Sequence, residues 1–299
     1  MSIVLGPHQY GKAETRLVRI VRDTARHEIT DLNVSTALRG PWDAAYLDGD
    51  QRDVLPTDTQ KNSAYVWAKK LNPDPIEAYG LALAQHFVDD VAPVEAARIE
   101  IERYDWARVT VDGRPHDHTF VRSGQEVRTA AVTVEPGAVH VVQGLKDLIV
   151  LKSTGSHFKD FLVDEYTTLQ PTDDRIMATS LTARWRVTDP AADLDWNALY
   201  AGVKAVMLER FATLDSYALQ QTLWHMARAT LEAYPAIAEV RLVAPNKHHF
   251  LVDFSRFDEP NENEVFHADD RPYGLIFGSA HRDDAAPAGD AWYGYTDLA

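Results

Sequence analysis

The chain has 299 residues, of which 45% are hydrophobic and 25% are charged, a balance typical of a folded protein with about two domains. Its formal net charge of −15 repels phosphate backbones, which argues against nucleic acid as a partner. Cysteine is absent, so disulfides, thiolate metal sites and cysteine nucleophiles are excluded together. The apolar runs are too short for a membrane span, and the first residues do not resemble a secretory signal.

The first half of the chain begins with two predicted strands. They cover residues 10–21 and 26–38 and are joined by a turn near Asp23. A helix is then predicted where Thr57, as the N-cap, and Gln60, three residues later, have the spacing of a capping box.

A second helix follows, with Asp74 as its predicted N-cap, Pro75 in the first helical position and Glu77 in the third. Its predicted buried face consists of apolar residues at helical spacing, namely Ile76, Tyr79, Leu83 and Phe87. Strands then return at residues 97–101 and 127–134.

The second half repeats this order. Its two helices begin after Asp195 and after Ser216. The predicted strands are residues 145–152, 179–187, 239–242 and 250–254. The predicted buried faces are Leu199, Val203, Val206 and Arg210 in the first helix and Leu219, Leu223, Met226 and Thr230 in the second. The tail after Ser279 is rich in Ala and Asp and is expected to be poorly ordered.

The repeated order of strand pair, helix pair and strand pair predicts an α+β fold. Short connections within each pair favour antiparallel strands, with helices packed on one face of each sheet. We therefore expect two tandem domains, at residues 1–140 and 141–299.

Several sequence motifs for cofactor and metal chemistry are missing: there is no Gly-rich phosphate loop, no dinucleotide-binding fingerprint and no HExxH sequence. His116 and His118 share one face of an extended segment, as metal ligands can, but no third ligand can be assigned. Exposed or hydrogen-bonded structural histidines are the commoner explanation of this spacing. No metal site is predicted.

Three segments could hold an anion or move a proton. Asn246 and His248 fall on one face of an extended segment, where His248 either relays a proton or is a satisfied core histidine. Thr57 begins a helix whose free N–H groups suit an anion, although a cap alone explains it. Lys12 is either a solvated lysine or a base whose pKa is lowered by burial or nearby cations.

Two further segments could bind a planar ring. The backbone N–H of Leu219 and the side-chain amide of Gln220 could hold a heterocycle, unless Gln220 is simply solvated. Arg175 could form a bidentate fork to an anion, or it could pair with Asp173 or Asp174.

Taken together, these segments resemble the urate oxidase (uricase) family over nearly the whole chain. The matching motifs, in chain order, are QYGK at 9–12, TDTQKN at 57–62, VLKSTGS at 150–156, DEYTTL at 164–169, DRI at 174–176, LQ at 219–220 and PNKHHF at 245–250. So many separate motifs in one order are unlike a chance match.

The resemblance implies two tunnelling-fold (T-fold) domains, each a four-stranded antiparallel sheet with two helices on one face. It also implies a homotetramer in which strands of paired subunits close a barrel around a tunnel. In this family Thr57 and Asp58 reach the active site of the neighbouring subunit, so the sites are expected at subunit interfaces.

The resemblance further assigns roles to the candidate residues. Lys12, Thr57 and His248 would form a proton relay beside the bound purine. The remaining contacts to urate would come from Arg175 and Gln220 as an in-plane clamp, Phe158 as a stacking ring, the backbone of Leu219 and Asp58, and Asn246 over the opposite face.

The implied reaction converts urate, oxygen and water to 5-hydroxyisourate and hydrogen peroxide without a cofactor. A peroxisomal Ser-Lys-Leu address is missing, and a cytoplasmic location is expected. Two alternatives stay open. One is a pterin-acting enzyme of the same fold that binds zinc through His116 and His118, and the other is a purine-binding relative without catalysis.

Overall fold

The computed structural model describes residues 2–294, which form two compact units. Unit 1 contains residues 2–144, Asp189–Asn197 and Pro287–Tyr293. Unit 2 contains Leu145–Thr188, Ala198–Ala286 and Gly294. The main division therefore falls after Gly144, four residues from the expected one, and two later segments return to unit 1.

Unit 1 is built on an antiparallel sheet. Its strands and helices, in chain order, are β1 (Tyr10–Val21), β2 (Glu28–Arg39), α1 (Asp43–Leu47), α2 (Thr57–Leu71), α3 (Ile76–Asp90), β3 (Ala96–Val111), β4 (Arg114–Glu135) and the first part of β5 (Ala138–Lys152). Strands β1 to β4 pair antiparallel in that order, as the short connections predicted.

The helices of unit 1 cover its sheet. Helix α2 packs against β1, and α3 packs against β3 and β4. The predicted face of α3 is confirmed, because Ile76, Tyr79, Leu83 and Phe87 are all buried. The spacing of apolar residues predicted this face correctly because successive turns of α3 pack on the same sheet.

Both helices begin differently from the predicted caps. Pro56 and Pro75 occupy the N-cap positions of α2 and α3, in extended conformations and without a side-chain cap. Thr57 is therefore the first helical residue of α2 rather than its N-cap, and the predicted capping box is wrong. The backbone carbonyl of each proline accepts the first helical hydrogen bond, and the fixed φ of proline suits an extended residue at this position.

Unit 2 repeats the arrangement of antiparallel strands and two helices. Its elements are the end of β5, then β6 (Met177–Val187), α4 (Trp196–Thr213), α5 (Leu219–Ala233), β7 (Ile237–Pro245), β8 (His248–Leu251), β9 (Phe266–Asp269) and β10 (Leu275–His281). The strands β5, β6, β7 and β10 belong to the same eight-stranded sheet as β1 to β4. Strand β7 pairs antiparallel with β6 on one side and with β10 on the other, and β8 pairs with β9.

The helix faces of unit 2 were predicted with mixed success. The face of α5 is confirmed, since Leu219, Leu223, Met226 and Thr230 are buried. In α4 the predicted Arg210 is exposed and Val206 is only half-buried. The buried face instead follows four-residue steps through Leu199, Val203, Met207 and Phe211. Helical spacing alone cannot distinguish this face from the predicted one beside it.

The predicted strand at residues 250–254 is displaced. Strand β8 ends at Leu251, because the Asp253 side chain accepts a hydrogen bond from the Ser255 backbone (2.8 Å) and turns the chain. The tail after Ser279 includes the end of β10 and a 3₁₀ helix at Gly289–Trp292, and residues 295–299 lie outside the described part. No helix within residues 2–294 is long and apolar enough to cross a membrane.

Candidate active site

The start of β1 is fixed by close backbone packing. A Cβ atom on Gly11 would lie 1.7 Å from the carbonyl oxygen of Thr36, so no other residue fits. The backbone N–H of Lys12 donates to Thr36 Oγ1 (3.1 Å), and that hydroxyl donates to the buried Gln60 Oε1 (2.6 Å). These contacts join β1 to α2 and determine where Lys12 lies.

A β-bulge follows Lys12 directly. Lys12 pairs with Thr36, whereas Thr15 pairs with Val34, so two residues of β1 lie opposite one residue of β2. Glu14 takes the left-handed conformation (φ 55°), and its N–H donates to Ser35 Oγ (2.9 Å). A bulge redirects the side chains beside it, so the half-buried Lys12 leaves the regular alternation of the strand.

Thr57 and Asp58 lie in the first turn of α2. Asp58 is exposed and accepts hydrogen bonds from Lys61 and from Asn62 (3.1 Å). The hydrogen bond and charge of Lys61 lower the pKa of Asp58, and the charge of Lys12 lowers it further. Lys12 and Asp58 are therefore electrostatic neighbours within unit 1.

In unit 2, Arg175 lies against the ring of Phe158. The guanidinium carbon is 4.7 Å from the ring centroid, and the Arg175 backbone N–H donates to the carbonyl of Ser156 (2.8 Å). Phe158 and Thr172 exchange two backbone hydrogen bonds of 2.9 Å. The half-buried Phe158 ring also stacks on Phe161, with centroids 4.9 Å apart, so a flat cation and an aromatic ring are held in contact.

The carboxylates next to Arg175 in sequence do not neutralise it. Asp173 pairs with Lys159, and Asp174 accepts hydrogen bonds from Thr154 Oγ1 (2.8 Å) and the Gly155 N–H (2.9 Å). The Arg175 Nε atom is buried and has no hydrogen-bond partner among the described residues. Burial lowers the pKa of this guanidinium, which still stays charged, so the site has an uncompensated cation.

Helix α5 directs its N-terminus into the same region of unit 2. Its N-cap, Ala218, is extended and provides no side-chain cap, so the first helical N–H groups stay available. Leu219 is buried and Gln220 is exposed. The exposed Gln220 amide agrees both with a contact to a planar ring and with a solvated side chain.

Asn246 and His248 lie at the junction of β7 and β8. The Asn246 amide nitrogen is 3.5 Å from His248 Nδ1, and the His248 ring stacks on Phe250 at 5.6 Å between centroids. The His248 ring is half-buried and Phe250 is 48% exposed, so His248 is not a core histidine. The chain bends into the β8–β9 pair here instead of continuing β7.

Residues 175–179 connect the parts of the site in unit 2. The Ala178 carbonyl accepts a hydrogen bond from the Lys247 N–H (2.8 Å), next to Asn246. The Met177 sulfur is 3.9 Å from the Thr222 hydroxyl in the first turn of α5. Arg175, the start of α5 and the Asn246–His248 pair are therefore held together, while Lys12, Thr57 and Asp58 form a separate group in unit 1.

The histidine pair considered for zinc does not gain a third ligand. The rings of His116 and His118 are 4.5 Å apart and perpendicular. Across residues 2–294, no three His, Cys, Asp or Glu side chains are placed to hold a metal ion.

The sequence analysis missed one set of contacts around the site. His157 pairs with Asp215, at 2.9 Å, and stacks on Tyr217, at 4.6 Å. The paired residues are 58 positions apart, and no local pattern in a single sequence connects such residues.

Comparison with known proteins identifies the family. The family model for uricase matches residues 8–133 and 141–277. The uricase of Arthrobacter globiformis is 46% identical over 291 residues, which are 97% of this chain and 94% of that protein. The chain belongs to the uricase family. The uricase of Schizosaccharomyces pombe is 38% identical over 260 residues, which cover 84% of this chain and 88% of the relative.

A solved structure supports the same conclusion. The crystal structure of the Arthrobacter globiformis uricase matches with a TM-score of 0.92 and 45% identity, over 98% of this chain and 99% of that one. The predicted α+β tunnelling fold is confirmed, and so is the prediction of a urate oxidase. As a member of the uricase family the chain is an oxidoreductase that acts on urate, and neither the pterin-acting nor the non-catalytic alternative is supported.

Proposed function

We propose that this enzyme oxidises urate with molecular oxygen without a bound cofactor, and that its own side chains bind the purine and move the protons. The observation that carries the proposal is the half-buried guanidinium of Arg175 over the ring of Phe158, whose buried Nε has no hydrogen-bond partner among the described residues. A planar organic anion satisfies both groups at once, because it stacks on the ring and pairs with the cation.

Urate fits this arrangement because it is flat and carries a negative charge at neutral pH. Arg175 and the amide of Gln220 would hold two edges of the ring in plane, and Phe158 would stack on one face. The N–H of Leu219 offers a donor with the positive potential of a helix N-terminus. These local donors allow an anion to bind despite the net charge of −15.

Proton transfer is assigned to Lys12, Thr57 and His248. Lys12 is half-buried beside a bulge, and its charge reaches Asp58 in the first turn of α2. His248 can pass a proton through Nε2 when Nδ1 accepts a hydrogen bond from Asn246. In this assignment Asn246 holds oxygen or water over the face of urate opposite Phe158.

The reaction balances without an added redox group. Deprotonated urate gives two electrons to oxygen, which takes up two protons and leaves as hydrogen peroxide. Water adds its oxygen to C5 of the oxidised ring, which yields 5-hydroxyisourate. The contribution of the protein is orientation, deprotonation and water delivery.

The site is assigned to a subunit interface of a homotetramer, in which paired subunits close a barrel. Thr57 and Asp58 come from one subunit and the purine clamp from its neighbour. Lys12 is the electrostatic neighbour of Asp58 and is assigned to the same subunit as these two residues. Dissociated subunits are then expected to lack activity. The cytoplasmic location stays a prediction from the sequence.

The deciding experiment is aerobic incubation of purified, chelator-treated protein with urate. We expect urate absorbance to fall while hydrogen peroxide appears in a 1:1 ratio, as the balanced reaction requires. Activity that disappears with the chelator and returns with an added metal would contradict the cofactor-free route. Loss of urate without peroxide would contradict oxygen as the electron acceptor.

A further inference from the structure

His157 and Phe158 are consecutive residues whose side chains contact different partners. Neighbouring side chains of an extended segment point to opposite sides. Phe158 contacts the guanidinium of Arg175. The His157 ring stacks on Tyr217 with centroids 4.6 Å apart and planes 12° from parallel, and His157 Nε2 lies 2.9 Å from Asp215 Oδ1.

The partners of His157 lie on both sides of Ser216. The backbone of Ser216 is itself paired with this segment, since its N–H donates to the Gly155 carbonyl (3.0 Å) and its carbonyl accepts from the His157 N–H (2.7 Å). His157 therefore holds three consecutive residues, the outer two through its side chain and the middle one through its backbone.

These three residues lead directly into helix α5. Ser216 is three residues before Leu219, and its hydroxyl is 2.7 Å from that of Thr222 inside the helix. The Tyr217 N–H donates to the side chain of Gln221 (2.9 Å). The position of this loop thus determines where the N–H of Leu219 and the amide of Gln220 point.

We propose that the pairing of His157 with Asp215 and Tyr217 positions the two arms of the urate clamp relative to each other. One arm is Phe158 with Arg175, and the other is Leu219 with Gln220. His157 is a positioning residue, because it acts through both arms and does not touch the substrate. The inference rests on the proposed binding of urate by these arms.

The pair contributes little to the stability of the fold. The side chain of His157 is 21% exposed and that of Asp215 is 60% exposed, and partly solvated polar pairs of this kind are weak. A clamp displaced by about 1 Å can instead lose up to about 100-fold in rate or affinity. Loss of the pair should therefore affect urate binding far more than thermal stability.

The test compares His157→Ala, Asp215→Ala and the double variant with the unmodified protein. The dissociation constant for urate is measured under anaerobic conditions, and kcat, KM and Tm are measured separately. We expect each single variant to raise the dissociation constant and KM about tenfold, with kcat within about threefold. The double variant should be no worse than His157→Ala, because that variant already removes the contact to Asp215.

Two further variants separate positioning from general stability. His157→Gln keeps a side-chain donor for Asp215 and should recover most of the affinity. His86→Ala is the matched control, because His86 forms a similar pair with Asp90 (2.7 Å) on α3 and has nearly the same exposure, 22%. It should leave urate affinity unchanged.

An unchanged dissociation constant in His157→Ala would overturn the inference, and so would additive effects in the double variant. A fall in Tm with unchanged affinity would show that the contact is merely structural and would overturn it as well. Failure of the proposed function is distinct, because the unmodified protein would then not bind or oxidise urate.

Discussion

The two groups of site residues are held by different kinds of structure. In unit 1, Lys12 lies on a paired strand and Thr57 and Asp58 lie in the first turn of a helix, and their positions follow from backbone pairing. In unit 2, Phe158 and Arg175 lie outside helices and long strands, in segments joined by individual hydrogen bonds. Lys12 and Thr57 of the proposed proton relay are thus held by regular structure, whereas Phe158 and Arg175 of the proposed urate clamp are held by joined loops.

This difference separates two effects of mutation. Changes in the unit 1 group should affect turnover more than affinity, since the purine is held by the other group. Changes in Phe158 or Arg175 should affect affinity first. The four predictions below would sharpen this contrast or break it.

Lys12→Met should have the largest effect. It removes the proposed base while keeping the length of the side chain, and loss of a general base lowers kcat by roughly 100- to 10,000-fold. Stopped-flow turnover and an anaerobic urate titration measure kcat and affinity independently. Affinity within about threefold of the unmodified protein is expected. A turnover close to that of the unmodified protein would remove Lys12 from the relay.

Arg175→Lys should weaken urate binding about 100-fold, because lysine keeps the charge but loses the planar fork. The anaerobic dissociation constant for urate measures this loss. Lys159→Met provides the control, since it removes a nearby cation that is already paired with Asp173. The control should bind urate as the unmodified protein does, and an unchanged dissociation constant in Arg175→Lys would show that binding depends on the charge at this position rather than on the planar fork.

Gly11→Ala should lower the free energy of unfolding by about 3 kcal/mol, because the added Cβ meets the Thr36 carbonyl at 1.7 Å and the strands must separate. Urea denaturation followed by circular dichroism gives the value. Gly6→Ala serves as the control, since its Cβ would meet nothing within 4 Å. Equal stability of both variants would show that β1 adapts easily and that its backbone does not fix Lys12.

The smallest effect concerns the pH dependence of stability near Lys152. Burial lowers the pKa of Lys152, and the charge of Asp215 opposes this only in part. Between the folded pKa and the unfolded value of 10.5 the unfolded chain therefore holds more protons, so stability rises with pH in that window. Relative to Lys152→Met, the unmodified protein should gain stability as the pH rises from the lowered pKa of Lys152 towards 10.5, measured as the free energy of unfolding across that range.

Lys159 provides the opposite case. Its hydrogen bond to Asp173 raises its pKa, so the folded protein holds more protons and stability falls as pH rises through the raised value. The stability difference between the unmodified protein and Lys159→Met should thus change with pH in the opposite direction to the difference for Lys152→Met. Slopes of the same sign would contradict the burial argument for Lys152.

The sequence predicted the regular structure better than the joined loops. The bounds of β1 and the buried faces of α3 and α5 followed from local patterns, because one side of each element packs on a sheet. The N-cap of α2 was wrongly assigned to Thr57, because Pro56 takes that position. Local rules thus worked where local geometry dominates and failed by a residue at the ends of helices.

The electrostatics of Arg175 could not be derived from the sequence. The Arg175 guanidinium stays without a carboxylate partner only if Asp173 and Asp174 bind other groups. Those groups lie 14 to 20 positions away along the chain. In the sequence, the two adjacent carboxylates favoured an ion pair with Arg175 instead. The family resemblance named the residue, but only the folded segments show why its charge is available.

The return of residues 287–293 to unit 1 has a consequence for biosynthesis. Arg39 pairs with Asp290, 251 residues later, and Arg98 donates to the carbonyl of Ala291 (3.2 Å). A ribosome adds about 5 to 20 residues per second, so these partners emerge roughly 10 to 50 s after the two arginines. The first unit to be translated is therefore among the last to be completed, and during that interval its two arginines lack their final partners.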